Sequence, residues 1–270
     1  MRNQAQIIEA LGVAKTINVA GEARRRQNFL KDYLLATGLR TYVLGISGGI
    51  DSLTAAILAQ RAVNELRKEA YDASFVAVRL PYGEQADEED AQSALSLIQP
   101  DQAYTVNIKA AADAMLDHVK QSGVTIEAER EDFLLGNIKA RERMIAQYAI
   151  AGALNGLVIG TDHAAEAVMG FFTKFGDGAA DILPLTGLNK RRVRAIASYL
   201  GVPEKLVTKV PTADLENNNP LRPDEDAYGV KYDQIDDFLE GKDIDPVAHD
   251  RIIHAYRTTA HKRALPVSAM

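Results

Sequence analysis

Tyr42-Val43-Leu44-Gly45-Ile46-Ser47-Gly48-Gly49-Ile50-Asp51-Ser52 is the stretch that decides how this chain folds. A short apolar run, Tyr42 to Leu44, leads into it, and a helical pattern begins at Leu53. Two adjacent glycines let the backbone approach an anion closely. Ser47 and Ser52 add hydroxyl donors, and the following helix supplies free N–H groups and a positive dipole end. The turn therefore reads as a phosphate cradle. It contains no lysine, unlike the Gly-x-x-x-x-Gly-Lys-Ser/Thr loop of the common nucleotide hydrolases. In place of lysine it carries Asp51, where a metal-bound polyphosphate needs a ligand.

Outward from the cradle, short apolar runs alternate with longer helical patterns. The runs are Tyr42–Ile46, Phe75–Leu80, Tyr104–Ile108 and Leu157–Gly160. Between them Leu53–Glu69, Asp87–Ile98, Ala110–Gln121 and Ile138–Leu154 place apolar residues at three- to four-residue spacing. This alternation predicts an α/β fold, an open parallel sheet with helices on both faces. The nearly continuous apolar runs suit buried parallel strands. Glu22–Ala36 reads as a helix before the sheet, Lys190–Leu200 as one after it, and Asp233–Leu239 and Pro246–Thr259 as closing helices. Residues 211–228, with three prolines among asparagines and acids, are expected to form an irregular lid. In an open parallel sheet, ligands sit at the carboxyl ends of the strands. The cradle, Arg79–Gly83 and Gly160–His163 all fall there, so three polar loops converge on one edge.

Bulk composition narrows the class. The 270 residues are 47% apolar and 25% charged, ordinary for a soluble globular chain. A net charge of −6 argues against a nucleic-acid partner. Two basic triplets remain, Arg24–Arg26, which reads as a solvated helix face, and Lys190–Arg192. No run approaches a membrane span, and Met1-Arg2-Asn3-Gln4 has no apolar signal core, so a cytoplasmic location is expected. The absence of cysteine excludes disulfides, thiolate metal sites and a Cys nucleophile. The five histidines show no metal-ligand spacing.

Ser-Gly-Gly-x-Asp-Ser resembles the pyrophosphate loop of the N-type ATP pyrophosphatases, which split ATP between the α and β phosphates and transfer AMP to a substrate oxygen. The other blocks narrow the choice. They are Arg79–Gly83 with Gln85, Gly136–Met144, Gly160–Glu166, Gly170-Phe171-Phe172-Thr173-Lys174-Phe175-Gly176-Asp177-Gly178, Leu188–Arg191, Pro211–Leu215 and His261-Lys262-Arg263. Together they resemble the ammonia-dependent NAD synthetase family over nearly the whole chain, from about Ile7 to Arg263. The C-terminus departs from the pattern, with Ala260 where relatives carry a glutamate.

The resemblance implies an adenine nucleotide alpha hydrolase-like, Rossmann-like fold and a single synthetase domain over 1–270. It implies ATP-dependent amidation of deamido-NAD with ammonia, giving NAD, AMP and pyrophosphate through an adenylated nicotinate carboxylate. Relatives that draw ammonia from glutamine use a fused amidase domain with a Cys nucleophile; neither the length nor the composition of this chain accommodates one. The alternatives are another amide-forming ATP pyrophosphatase and a nucleotide sensor without turnover.

By the same resemblance, Gly45, Ile46, Ser47, Gly48, Gly49, Ile50, Asp51 and Ser52 hold the triphosphate. Arg79, Gln85, Thr161, Lys190 and Thr212 complete the ATP site, and Asp51 and Glu166 bind Mg²⁺. Arg141, Lys174, Asp181, His261 and Lys262 are the deamido-NAD positions; cations suit that polyanion. Asp51, Lys174, Asp181 and Lys190 carry the chemistry, with Asp181 placed to hold ammonium and accept its proton. The helix beginning at Ile138 is expected at a homodimer interface, with the dinucleotide site spanning both subunits.

Overall fold

The computed structural model describes residues 3–83, 88–212 and 223–269. In chain order the elements are α1 (Gln4–Ala10), α2 (Val19–Thr37), β1 (Thr41–Gly45), α3 (Ile50–Lys68), β2 (Ser74–Arg79), α4 (Glu88–Ile98), β3 (Gln102–Thr105), α5 (Lys109–Gln121), α6 (Ala128–Ala153) and β4 (Gly156–Val158). They continue with α7 (Ala164–Met169), α8 (Lys190–Leu200), α9 (Glu204–Val207), α10 (Asp224–Tyr228), α11 (Tyr232–Leu239) and α12 (Pro246–Thr258), then a 3₁₀ turn at Ala260–Lys262.

The four strands pair in the order β3-β2-β1-β4, all parallel. Side chains alternate across a strand, and the alternation sorts the core into two layers. Tyr42 and Leu44 of β1, with Phe75 and Ala77 of β2, face a large cluster built by α2, α3 and α8. Val43, Val76, Val78 and Val158 face the opposite side, where Ala151 of α6 packs. The helices thus cover both faces, as the apolar runs predict. A further cluster joins α1, α7, α11 and α12 through Ile7, Val168, Tyr232, Phe238 and Ile252.

Three stretches differ from the sequence reading. The third strand starts two residues before Tyr104 and is exposed along its length, because it is the edge of the sheet and pairs only with β2. Helix α6 begins ten residues before Ile138: Gly136 stays inside it, because Leu135 is buried against Ala112 and Leu116 of α5. Within 211–228, Asp224–Tyr228 is helical rather than irregular, and Thr212 pairs with Pro223 in an antiparallel bridge. Ala213–Arg222, between those ends, lie outside the described residues, as does Gln85.

The basic triplets divide between surface and core: Arg24 and Arg25 lie on the solvated face expected of them, paired with Glu65 and Glu22. Arg26, expected on a solvated face, is buried and donates to the carbonyls of Pro184 and Thr186. Lys190 is buried, and the Arg192 guanidinium donates to the carbonyls of Ala14 and Lys15.

Candidate active site

Strand β1 ends at the cradle. The Gly45 N–H donates to Gln147 Oε1 of α6 at 2.7 Å, and the Ile46 N–H donates to the Val78 carbonyl at 2.8 Å. Gly48 then turns with φ of +78°, a conformation that glycine adopts without strain. The Gly49 N–H donates to Ser47 Oγ at 3.2 Å, Ser52 Oγ donates to the Gly49 carbonyl at 3.1 Å, and the two hydroxyls lie 3.1 Å apart. The serines expected as donors to an anion therefore also fasten the loop to itself. Helix α3 starts at Ile50, three residues earlier than its apolar pattern, and Gly49 gives it no side-chain cap. Its first N–H groups and dipole end face the cradle without an internal acceptor from that cap, which suits an anion.

Asp51, in the first turn of α3, meets residues from two distant segments. Lys190 Nζ lies 2.6 Å from Asp51 Oδ2, and His163 Nε2 lies 3.4 Å from Asp51 Oδ1. His163 Nε2 also lies 3.6 Å from Glu166 Oε1. One atom from each of Asp51, His163 and Glu166 falls within 4.8 Å of the others. The loop after β4 supplies His163, which N-caps α7: its Nδ1 accepts from the Glu166 N–H at 3.4 Å. His163 Nε2 faces both carboxylates and the Lys190 ammonium, which lies 3.5 Å from it. Asp51 Oδ1 is buried and has no hydrogen-bond partner.

The electrostatics follow from this crowding. Burial pushes the Asp51 carboxyl up, but Lys190 and His163 outweigh it and hold it well below the usual carboxylate range. Glu166 is pushed up to about 8 by burial, against the pull of His163 and with the Asp51 charge adding to the rise. Burial lowers the Lys190 and His163 values, but the facing carboxylates reverse both shifts. The cluster is an ionised Asp51–Lys190 pair beside a His163–Glu166 pair that competes for a proton. A divalent cation between Asp51 and Glu166 would draw both carboxylates to the charged form, and carboxylate oxygens are the ligands a hard cation takes.

Asp51, Glu166 and Lys190 open onto a cavity of about 430 Å³. Ser47, Gly49, Asp51, Ser52, Thr161, Glu166, Lys190 and Thr212 line it, so much of the expected triphosphate and metal site is contiguous, and Lys262 of the expected dinucleotide set lines it too. Asp224, from α10, lines it too, with one buried carboxylate oxygen unpartnered. Arg79, expected near the adenine, is buried at the end of β2 and does not line the cavity.

Arg141, Lys174, Asp181 and His261 also fall outside the lining. Three of them are linked: Arg141 Nη2 donates to the Lys174 carbonyl at 3.2 Å, and Lys174 Nζ to the His261 carbonyl at 2.6 Å. Lys262 Nζ donates to the carbonyls of Gly170 and Phe172, both at 2.8 Å. Asp181 lies apart, accepting from the Val158 N–H at 2.7 Å and the Tyr148 hydroxyl at 3.4 Å.

Sequence reasoning missed part of the wall. Gly136, Ala140, Arg143 and Gln147 line the cavity from α6. Their spacing of four, three and four residues is one helical stripe, a signal present in the chain but masked by the apolar residues of the same helix. His163 stood inside a recognised block without a role, because its partners Asp51 and Lys190 lie far along the chain.

Known proteins share this architecture. The NH(3)-dependent NAD(+) synthetase of Paraburkholderia phytofirmans is 61% identical over 264 residues, covering 97% of this chain and 92% of that protein. The crystal structure of NAD+ synthetase from Burkholderia pseudomallei superposes with a TM-score of 0.85 at 57% identity, covering 98% of this chain and 99% of that one. The NMN synthetase structure from Francisella tularensis gives a TM-score of 0.82 at 36% identity, covering 94% and 99%. The NAD synthase family model matches residues 22–266, and with that match and those relatives this chain belongs to the NAD synthase family.

Proposed function

We propose that the cavity at the carboxyl edge of the sheet is where ATP and deamido-NAD react, and that the cluster of Asp51, His163, Glu166 and Lys190 is its chemical centre. The chain amidates deamido-NAD with ammonia in an ATP-dependent ligase reaction, as the 61% identical NH(3)-dependent NAD(+) synthetase does. The observation that carries the assignment to this site is the Asp51–Lys190 pair, set against an uncapped helix N-terminus.

In the first half-reaction a nicotinate carboxylate oxygen attacks the α-phosphorus, and the bond to the bridging oxygen breaks to release pyrophosphate. In the second, the ammonia nitrogen attacks the acyl carbon, the bond to AMP breaks, and a proton leaves the nitrogen. The backbone N–H groups at Gly45–Ser52 orient the triphosphate. Lys190 neutralises charge that grows on the phosphate oxygens. Thr161 and Thr212, which both line the cavity, make polar contacts to the nucleotide. Asp51 and Glu166 would hold Mg²⁺, which supplies further neutralisation of the leaving pyrophosphate; the unpartnered Asp51 oxygen fits that role.

Deamido-NAD is assigned to Arg141, Lys174, Asp181, His261 and Lys262. Asp181, exposed at the end of β4, holds ammonium and takes its proton. Most of this set lies outside the cavity of one chain, and Phe133, Ile145 and Phe175 expose more than half their surface nearby in sequence. Both observations support a homodimer in which a partner's α6 completes the dinucleotide site. On this reading 1–270 works as one synthetase domain, and free ammonia is the nitrogen source. On the same reading the enzyme works in the cytoplasm, a location that cell fractionation tests.

A product assay tests the reading. Mg-ATP, ammonium and deamido-NAD should give NAD, AMP and pyrophosphate in equal amounts. ADP and phosphate as products would sink the adenylation step. Nicotinate mononucleotide in place of deamido-NAD tests the carboxylate, because a 36% identical structure is an NMN synthetase; faster turnover of the mononucleotide would reassign the substrate. Glutamine should not replace ammonium, and equal rates with it would refute the nitrogen source.

A further inference from the structure

Lys190 reaches the cavity from the first position of α8, so its aim depends on what holds that helix end. The first N–H groups of a helix lack intrahelical acceptors. At α8 side chains meet three of them. The Arg192 N–H donates to Asn189 Oδ1 at 3.0 Å, the N-cap bond expected of asparagine. The other two go to a residue of another helix. The Lys190 N–H donates to Asp236 Oδ1 at 2.9 Å, and the Arg191 N–H to Asp236 Oδ2 at 2.7 Å. Asp236 is 2% exposed, and both its oxygens are committed to this helix end.

The same helix grips the other end of Lys190. Tyr232 lies four residues before Asp236 on α11, hence on the same face. Its ring centroid is 5.0 Å from Lys190 Nζ, within the range of a cation–π contact. The Tyr232 hydroxyl donates to Asp224 Oδ2 at 2.9 Å, and Asp224 lines the cavity. A cap formed only for helix stability would not need a buried carboxylate from a separate element, since Asn189 already caps α8. Burying a charge costs free energy unless it is well bonded.

We propose that Asp236 is a positioning residue: by binding the backbone of Lys190 and Arg191 it sets where the Lys190 ammonium points in the nucleotide cavity. It touches no reacting atom and acts only through Lys190. The inference rests on the proposed role of Lys190 as a contact to the ATP phosphates.

A double-mutant cycle on Mg-ATP affinity, measured by calorimetry without deamido-NAD so that no turnover occurs, separates the two ideas. K190A should weaken Mg-ATP binding about tenfold or more, the scale of a lost charge-assisted hydrogen bond. D236N, which keeps shape but removes one acceptor and the charge, should weaken it about fivefold in the wild-type background and less than about twofold in K190A, because coupled residues are non-additive. No effect of K190A would overturn the role of Lys190. A K190A effect with an unchanged D236N, or an equal D236N loss in both backgrounds, would overturn the positioning role alone. Hydrogen exchange of the wild-type protein gives a test free of folding defects. The Lys190 and Arg191 amides should exchange as slowly as those in the middle of α8, and fast exchange at both would also overturn it.

Discussion

Lys190 Nζ lies 2.6 Å from Asp51 Oδ2, although 139 residues separate them in the chain. The contact joins the first turns of two helices, α3 and α8. Each helix directs its N-terminus at the same cavity. An acid is favoured at such a position by the dipole and a lysine is disfavoured, so the acid offsets what the lysine costs there. The pair is thus both a fold contact and a preset arrangement of charge for a polyanion.

Replacing Asp51 should test that pair directly. Asp51→Asn keeps the size of the side chain and removes the charge. Turnover should fall by about 100-fold or more, the scale seen when one preorganised electrostatic group is lost. It also leaves Lys190 buried beside a neutral amide, and breaking one side of a buried pair costs about 3 kcal/mol or more. Urea unfolding should therefore shift to lower denaturant with the slope unchanged. Unaltered turnover would remove Asp51 from the chemistry.

Metal binding should depend on Glu166 as well. Chelation should abolish NAD formation, and Mg²⁺ should restore it. Mn²⁺ titration followed by electron paramagnetic resonance reads affinity without turnover. Glu166→Gln should weaken Mn²⁺ about tenfold or more, in line with losing one of two charged oxygen ligands. Wild-type affinity in that variant would assign the metal to other oxygens.

Asp236 should leave a signature in the pH dependence of stability. Burial pushes its carboxyl up to about 6, despite the opposing backbone N–H groups of Arg191 and Lys190. An ordinary aspartate titrates at 3.8, so between these values the folded chain holds the proton more tightly than the unfolded chain. The contribution of this group is fully present below the ordinary value and is lost as pH rises toward about 6. D236N cannot titrate. Relative to wild type, D236N should therefore gain about 3 kcal/mol between about pH 4 and about pH 7, at 1.36 kcal/mol per unit. Urea unfolding at both pH values measures it, and a pH-independent difference would mean that Asp236 titrates normally.

The subunit contact should be sensitive at α6. Ile145, on α6, is more than half exposed. Ile145→Arg should weaken self-association about tenfold or more without lowering thermal stability of the monomer, since a surface change away from the core alters stability little. Sedimentation velocity over a concentration series reads both chains. A wild-type chain that sediments as a monomer at micromolar concentration would end the homodimer reading.

What could be read from the chain and what could not divide along physical lines. The alternation of short apolar runs and helical periodicity determined the parallel sheet, because strand and helix periods are local properties of sequence. The cradle was legible for the same reason: strand, glycine turn and helix start lie within eleven consecutive residues. The Gly170–Gly178 run, taken together with the blocks around Arg79, Arg141, Thr161, Lys190, Thr212 and His261, pointed to the family. Tertiary structure decided the rest. Sequence order does not say which strand is the edge, so the apolar run of β3 looks buried although the strand is exposed. A glycine in a helix looks like a stop unless the packing of Leu135 is known. His163, Asp236 and Gln147 each act on a group tens to over a hundred residues away, through polar contacts to backbone or carboxylate atoms that leave no spacing in the sequence. Local periodicity specifies elements; only their packing brings the buried polar groups of distant segments into register.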